Sequence, residues 1–189
     1  MATLETERLI LREWEERDIA PLAAMNADPE VMRFFPSTQS EAESRDLFER
    51  AKSLQAENGF HFQPIEEKAT GDFAGFVGLA PVFIEVDFTP AVEIGWRLPV
   101  DCWGKGYATE AARAWLGYGF GTLGLDEIVS FAVATNHRSY AVMARIGMTQ
   151  DVDGSFIHPK FDDPGHPLAR HVLYRLSRRD FEAARATST

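Results

Sequence analysis

Glu93-Ile94-Gly95-Trp96-Arg97-Leu98-Pro99-Val100-Asp101-Cys102-Trp103-Gly104-Lys105-Gly106-Tyr107-Ala108-Thr109-Glu110 runs from a strand pattern, through a turn carrying two glycines, into a helix pattern. Glycines let backbone amides approach an anion closely, and a helix start adds unpaired N–H groups and the positive end of its dipole. Lys105 adds one charge. A tight strand-to-helix turn that binds nothing has the same local pattern. The stretch lacks the Gly-x-Gly-x-x-Gly order of a dinucleotide fold, and Gly106 stands where a phosphate loop needs Ser or Thr.

Outward from this stretch, helical spacing continues over 108–120, with Ala108, Ala111, Ala112, Trp115, Leu116 and Gly119 on one stripe. Upstream, β-rich runs at 60–66, 73–82 and 91–98 are joined by turns at 68–72 and 87–90. Before them lie a strand at 8–12, a helix at 18–26 broken by Asp28-Pro29, and a helix opened by a Ser40/Glu43 capping box and stopped at Asn58-Gly59. Downstream come a strand at 127–135, a helix at 139–146 capped by Gly147, and strands at 148–155 and 171–177 around an irregular segment, 156–169. The order predicts an α/β (α+β) fold with one mostly antiparallel sheet flanked by helices, in a single domain over 1–189.

The charge of -10 and the lack of a basic stripe argue against nucleic acid as a partner. An acidic chain repels a polyanion at long range, so such a ligand needs a local capture device, whereas an aminated one is attracted. Cys102 is the only cysteine, which excludes an internal disulfide and a thiolate zinc cluster. It reads as a small apolar filler rather than a nucleophile. His137, His158, His166 and His171 match no compact zinc spacing, so no metal is expected. No stretch is long enough to span a bilayer, and no signal peptide is evident, which leads to the expectation of a soluble cytoplasmic protein. The Ala-Thr-Ser-Thr end is expected to be disordered.

Four segments recur together in family order: Leu4-Glu5-Thr6-Glu7-Arg8-Leu9-Ile10-Leu11-Arg12, Glu93-Ile94-Gly95-Trp96, Trp103 to Ala111, and Asn136-His137-Arg138-Ser139 with Arg145-Ile146-Gly147-Met148. Together they resemble the GNAT acyltransferase superfamily, in the branch similar to ribosomal-protein N-terminal (Rim-type) acetyltransferases. Trp103 stands where the wider family begins its loop with Arg or Gln. The resemblance implies an N-acetyltransferase using acetyl-coenzyme A as co-substrate. It implies backbone groups of Trp96 and Leu98 on the pantetheine arm, and the loop Trp103, Gly104, Lys105, Gly106, Tyr107, Ala108 on the pyrophosphate. Asn136 and Ser139 would contact the cofactor's other side.

Acetyl transfer to an amine needs an uncharged amine, a polarised thioester carbonyl and a protonated leaving thiol. Glu93, between Val92 and Ile94, is the candidate base, through a water; its alternative is a strand glutamate paired with an arginine. Ser139 is the candidate acid, or else a residue satisfying backbone amides at a helix start. Asn136 is a ligand or a cap. The tyrosine that many members carry four residues before the glycine of the Gly-Phe or Gly-Met pair is Met143 here, and Tyr140 is expected to pack. Residues 165–168 shape an acceptor pocket or form a plain surface loop, and Asp151, Asp153, Asp162 and Asp163 draw an amine inward or are simply solvated.

The acceptor is read as a primary amine, on a small molecule or a protein N-terminus. A non-catalytic acyl-coenzyme A sensor and a longer-chain acyltransferase are the alternatives. Exposed sheet edges with Phe34, Phe35 and Phe88 allow a homodimer.

Overall fold

In the computed structural model, which describes residues 3–186, the strands are β1 (Leu4–Glu5), β2 (Leu9–Leu11), β3 (Phe62–Glu67), β4 (Phe73–Pro81), β5 (Val92–Arg97), β6 (Glu127–Val133), β7 (Thr149–Ile157) and β8 (Arg170–Ser177). The helices are α1 (Ile19–Ala27), α2 (Glu41–Asn58), α3 (Tyr107–Gly121), α4 (His137–Arg145) and α5 (Arg178–Ala186). Strand order is β1-β2-β3-β4-β5-β6-β8-β7; β1–β2, β2–β3, β3–β4, β6–β8 and β8–β7 pair antiparallel, and β5 runs parallel to β6. This is the expected mixed fold with a mostly antiparallel sheet. Of the Ala-Thr-Ser-Thr end expected to be disordered, Ala186 instead closes α5, and 187–189 lie outside the described residues.

Two compact units divide the chain. The first joins the chain up to Ala80 with Gly95–Trp115, and the second joins Pro81–Ile94 with the chain from Leu116 onward. β5 therefore gives its first half to one unit and its second half to the other.

The core of the first unit is built by helices α1 and α2 over β4. Trp14, Ile19, Leu22, Met25, Val31, Met32, Phe48, Ala51 and Phe76 form one buried cluster. Truncating a ring such as Phe48 to Ala would cost roughly 3–5 kcal/mol. The capping box opens α2 as expected: Glu43 N donates to Ser40 Oγ (3.2 Å), and Ser40 N donates to Glu43 Oε2 (2.7 Å). Gly59, at φ 79°, ends it. Gly75 (φ 108°) is required because a Cβ there would run into the Arg97 carbonyl of β5.

In the second unit, β8 inserts between β6 and β7. Helix α4 lies against this sheet through Tyr140, whose ring stacks on Tyr174 at 5.8 Å. Helix α5, like the short β1, is an element the pattern reading missed. Its signal is the Ser177/Asp180 pair at its start: Ser177 Oγ donates to Asp180 Oδ2 (2.7 Å), and Asp180 N donates to Ser177 Oγ (3.2 Å). Phe181 packs on Phe120 at 4.8 Å, and Arg178 donates to the carbonyls of Phe120 and Leu125.

Candidate functional site

The connection from β5 to α3 passes through a short 3-10 turn at Val100–Cys102 and then a bend held by glycine geometry. Gly104 and Gly106 sit at φ 74° and 84°, in the left-handed region that other residues avoid. Glu110 N donates to Gly106 O (3.0 Å), so the amides of Tyr107, Ala108 and Thr109 stand ahead of the first helical bond of α3. Space at Gly104 is open: a Cβ there meets nothing within 4 Å. Fifteen residues of helix stand behind these amides. The geometry fits an anion delivered to the helix start, which is what the pyrophosphate of coenzyme A would require.

The loop is braced by residues the sequence reading did not assign. Arg8 Nη1 donates to Lys105 O (2.9 Å), and Arg8 Nε donates to Glu110 Oε2 (2.7 Å). Glu110 Oε1 also accepts from Arg8 N (2.8 Å) and Thr6 Oγ1 (2.6 Å). The Arg8 guanidinium lies 4.9 Å from the ring centre of Tyr107, whose hydroxyl donates to Glu67 Oε1 (2.6 Å). An acid in the first turn of α3 would oppose an incoming phosphate. Arg8 neutralises it: burial raises the Glu110 pKa, but hydrogen bonds from Thr6 and from the Arg8 amide and guanidinium, with the Arg8 charge, bring it below the usual value.

Trp103 anchors the base of the turn. Its indole donates to Leu98 O (2.8 Å), and its ring packs against the Trp14–Phe48 core. One lone pair of the Leu98 carbonyl, expected on the pantetheine arm, is thereby used. Lys105 is exposed and its ammonium lies 5.6 Å from the Tyr107 ring centre, so the cation belongs to the loop's outer side. Cys102 is buried as the filler reading expects, and burial pushes its thiol up to about 11.

Glu93, Asn136 and Ser139 belong to the second unit. Glu93 pairs with Val129 of β6, and beside it Ser130 Oγ donates to Ile94 O (2.9 Å). The residue is half-buried, and the protein packed around its carboxyl pushes the pKa from 4.5 up to about 7. Asn136 acts as the N-cap of α4: its Oδ1 accepts from Ser139 N (3.3 Å). The cap reading is thus present in the structure, and it leaves the Asn136 amide nitrogen for other bonds. The Ser139 hydroxyl has no hydrogen-bond partner among the described residues. Tyr140 packs as expected, its hydroxyl donating to Val133 O (2.7 Å) and its pKa pushed up by burial to about 12. Met143 is buried, 1% exposed.

Two carboxylate expectations resolve differently. Asp151 is ion-paired with Arg175 (2.7 Å), which also holds Glu127 (2.7 Å), whereas Asp153, Asp162 and Asp163 are exposed. Among the described residues, no group of three or more His, Cys, Asp or Glu side chains is placed to hold a metal, and no helix is long and apolar enough to cross a membrane.

Residues 8–149 match the model of the acetyltransferase (GNAT) domain. The chain is 34% identical over 146 residues to the uncharacterized protein YkkB of Bacillus subtilis, covering 77% of this chain and 84% of that one. It is 32% identical over 190 residues to the FsC-acetyl coenzyme A-N(2)-transacetylase of Aspergillus fumigatus, covering 95% of this chain and 77% of that one. A crystal structure of a GNAT-family acetyltransferase from Bacillus anthracis matches with a TM-score of 0.77 at 25% identity, covering 94% of this chain and 99% of that chain.

Proposed function

The chain belongs to the GNAT acetyltransferase family, and from that premise we propose that it is an N-acetyltransferase moving acetyl from acetyl-coenzyme A directly to a primary amine. In this reading 1–189 act as one catalytic domain. The observation that carries the chemistry is Glu93, a carboxylate whose pKa of about 7 lies where a base must hold and release protons near neutrality. The name of the Aspergillus relative, an acetyl coenzyme A-N(2)-transacetylase, supports a nitrogen acceptor.

The bound thioester supplies an activated acetyl group. The amides from Gly104 to Ala108 hold its pyrophosphate, and the backbone of Trp96 and Leu98 lines the pantetheine arm. Asn136 lends its carboxamide nitrogen to the cofactor. Glu93, through a water, takes the proton from the acceptor ammonium, leaving a nucleophilic amine. The free hydroxyl of Ser139 donates a hydrogen bond to the departing sulfur, and the proton that the nitrogen loses as the amide forms ends on that sulfur as the free thiol. Both substrates are held together, so proximity replaces a covalent acyl-enzyme. The leading segment Leu4–Arg12, paired to the loop through Arg8, supports the Rim-type branch and with it a peptide N-terminus as one acceptor. The protein would then work in the cytoplasm, either alone or as a homodimer.

The test is release of free thiol from acetyl-coenzyme A across a panel of small amines and peptides. Release above the hydrolytic background with at least one amine is expected. Met143 in the place of the family tyrosine, with the Tyr140 hydroxyl tied to Val133, favours a second reading, a coenzyme A sensor. Tight coenzyme A binding with no thiol release across the panel would establish the sensor and exclude the enzyme.

A further inference from the structure

Two guanidinium groups lie inside the first unit, and their surroundings are opposite. Arg12 meets both oxygens of Asp18 (2.8 Å each) and Glu66 Oε2 (2.8 Å). The charge is compensated, and the bond to Asp18 raises its pKa. Arg97, at the end of β5, has no carboxylate within ion-pair distance among the described residues. Its Nη1 donates to Asn26 Oδ1 (2.7 Å), and its Nε is buried without an acceptor. Phe35 and Phe76 flank it, with ring centres 4.2 and 5.3 Å from Cζ. Burial alone lowers its pKa, to about 10.

A desolvated cation without a counter-ion is costly, and proteins retain such groups where a partner arrives from outside. The site is also preset. Asn26 is fully buried and its carboxamide is oriented by Ser44, whose Oγ accepts from Nδ2 (3.0 Å). That fixes the arginine by one edge. Phe35, 39% exposed, covers one face of the guanidinium from the segment between α1 and α2. Nη1 is used by Asn26 and Nε is shut off from solvent, so Nη2 is the nitrogen left for an incoming oxyanion.

We propose that Arg97, oriented by Asn26 and sandwiched by Phe35 and Phe76, receives a carboxylate of the acceptor, so that the substrate is a primary amine bearing an acid group. This rests on the acetyl-transfer reading for the identity of the ligand as the acceptor, though the anion subsite itself does not. The other oxyanion available is the ribose phosphate of coenzyme A, and the experiment separates the two sources.

Calorimetric titration of the full chain with N-acetyl amino acids and with their amides tests the subsite without turnover. The acids should bind about tenfold more tightly than the amides. That preference should vanish in Arg97→Gln and survive in part in Arg97→Lys, which keeps the charge and guards against a folding defect in the neutral variant. In the thiol-release assay, free amino acids should outrun their amides by a similar factor, again only with a cation at 97. Equal affinity for acids and amides, no binding of either, or a preference that survives in Arg97→Gln would overturn the proposal. So would an Arg97→Gln loss confined to coenzyme A and absent with 3′-dephospho-coenzyme A, which would assign the anion to the cofactor. Acid-selective binding without thiol release would leave the subsite standing and sink the acetyl-transfer reading.

Discussion

The loop between β5 and α3 and the segment between β7 and β8 are both irregular, and they are held in opposite ways. The first is tied to residues far away in the chain: Arg8 to Lys105 and Glu110, Thr6 to Glu110, Glu67 to Tyr107. The second is tied almost wholly to itself. Lys160 N donates to His158 Nδ1, Gly165 N to Asp163 Oδ1 and Leu168 N to His166 Nδ1, each two residues away. His158 N donates to Ala169 O and closes the ends, as in an Ω-loop. Long-range ties fix a shape against the body of the unit, whereas short-range turns fix a local curl that can be exchanged without disturbing anything else. A co-substrate common to a whole family calls for the first construction; a partner that differs from member to member tolerates the second.

The largest expected effect separates chemistry from both regions. Glu93→Gln should lower kcat by about a hundredfold or more while leaving coenzyme A affinity unchanged. Wild-type rate should climb as pH rises through about 7, where Glu93 loses its proton, and this limb should be missing in the variant. The sign for stability is the reverse. A carboxyl whose folded pKa is raised from 4.5 to about 7 contributes stability below 4.5 that is lost as pH rises through 7. Glu93→Gln should therefore be more stable than wild type at pH 8, by roughly 1–3 kcal/mol, with little difference at pH 4, as thermal melts at the two pH values would read. An unchanged pH profile would remove Glu93 from the mechanism.

Next in size is the brace of the donor loop. Arg8→Ala or Glu110→Gln should raise the KM for acetyl-coenzyme A about tenfold and change kcat less than twofold. The double variant should be no worse than the single ones, since both remove the same contact. Acetyl-pantetheine, which lacks the pyrophosphate, should be used equally by all. A matching loss with acetyl-pantetheine would mean that the brace supports the unit in general and not the loop.

How far this could be read beforehand follows from the same contrast. The glycine turn, the helix behind it and the α2 capping box are local, so Gly104, Gly106, Ser40 and Glu43 announce them by spacing alone. Glu93 was legible as a carboxylate between two apolar strand residues, although its raised pKa depends on surroundings that no spacing encodes. Arg8 and Glu110 both stood inside quoted motifs, yet nothing local links two residues 102 positions apart. Arg97 drew no reading from the sequence because what marks it, a missing carboxylate, is a property of the packed unit. Asn136 was legible as a helix start, and its cap bond to Ser139 N is the local outcome. Helix α5 was missed although Ser177 and Asp180 mark its start, because Arg178, Arg179 and Asp180 hide the weak apolar stripe that follows.

Glycine substitutions sharpen the comparison with a smaller effect. Gly106→Ala places a side chain at φ 84°, with its Cβ 3.4 Å from Arg8 Nη2. The strain should cost about 1–2 kcal/mol of stability, seen in denaturant melts, and should weaken coenzyme A binding several-fold because the amides of the loop shift. Gly165 is the corresponding glycine of the other region. Its φ is not in the left-handed region, and the nearest atom to a Cβ there is the flexible Asp163 carboxylate at 3.2 Å. Gly165→Ala should change stability by no more than about 0.5 kcal/mol and leave coenzyme A affinity untouched. A shift in the KM of the acceptor alone, of up to about threefold, would identify 158–169 as an acceptor-facing loop. If Gly165→Ala instead weakened coenzyme A as strongly as Gly106→Ala, the division between a fixed donor loop and an exchangeable second segment would fall.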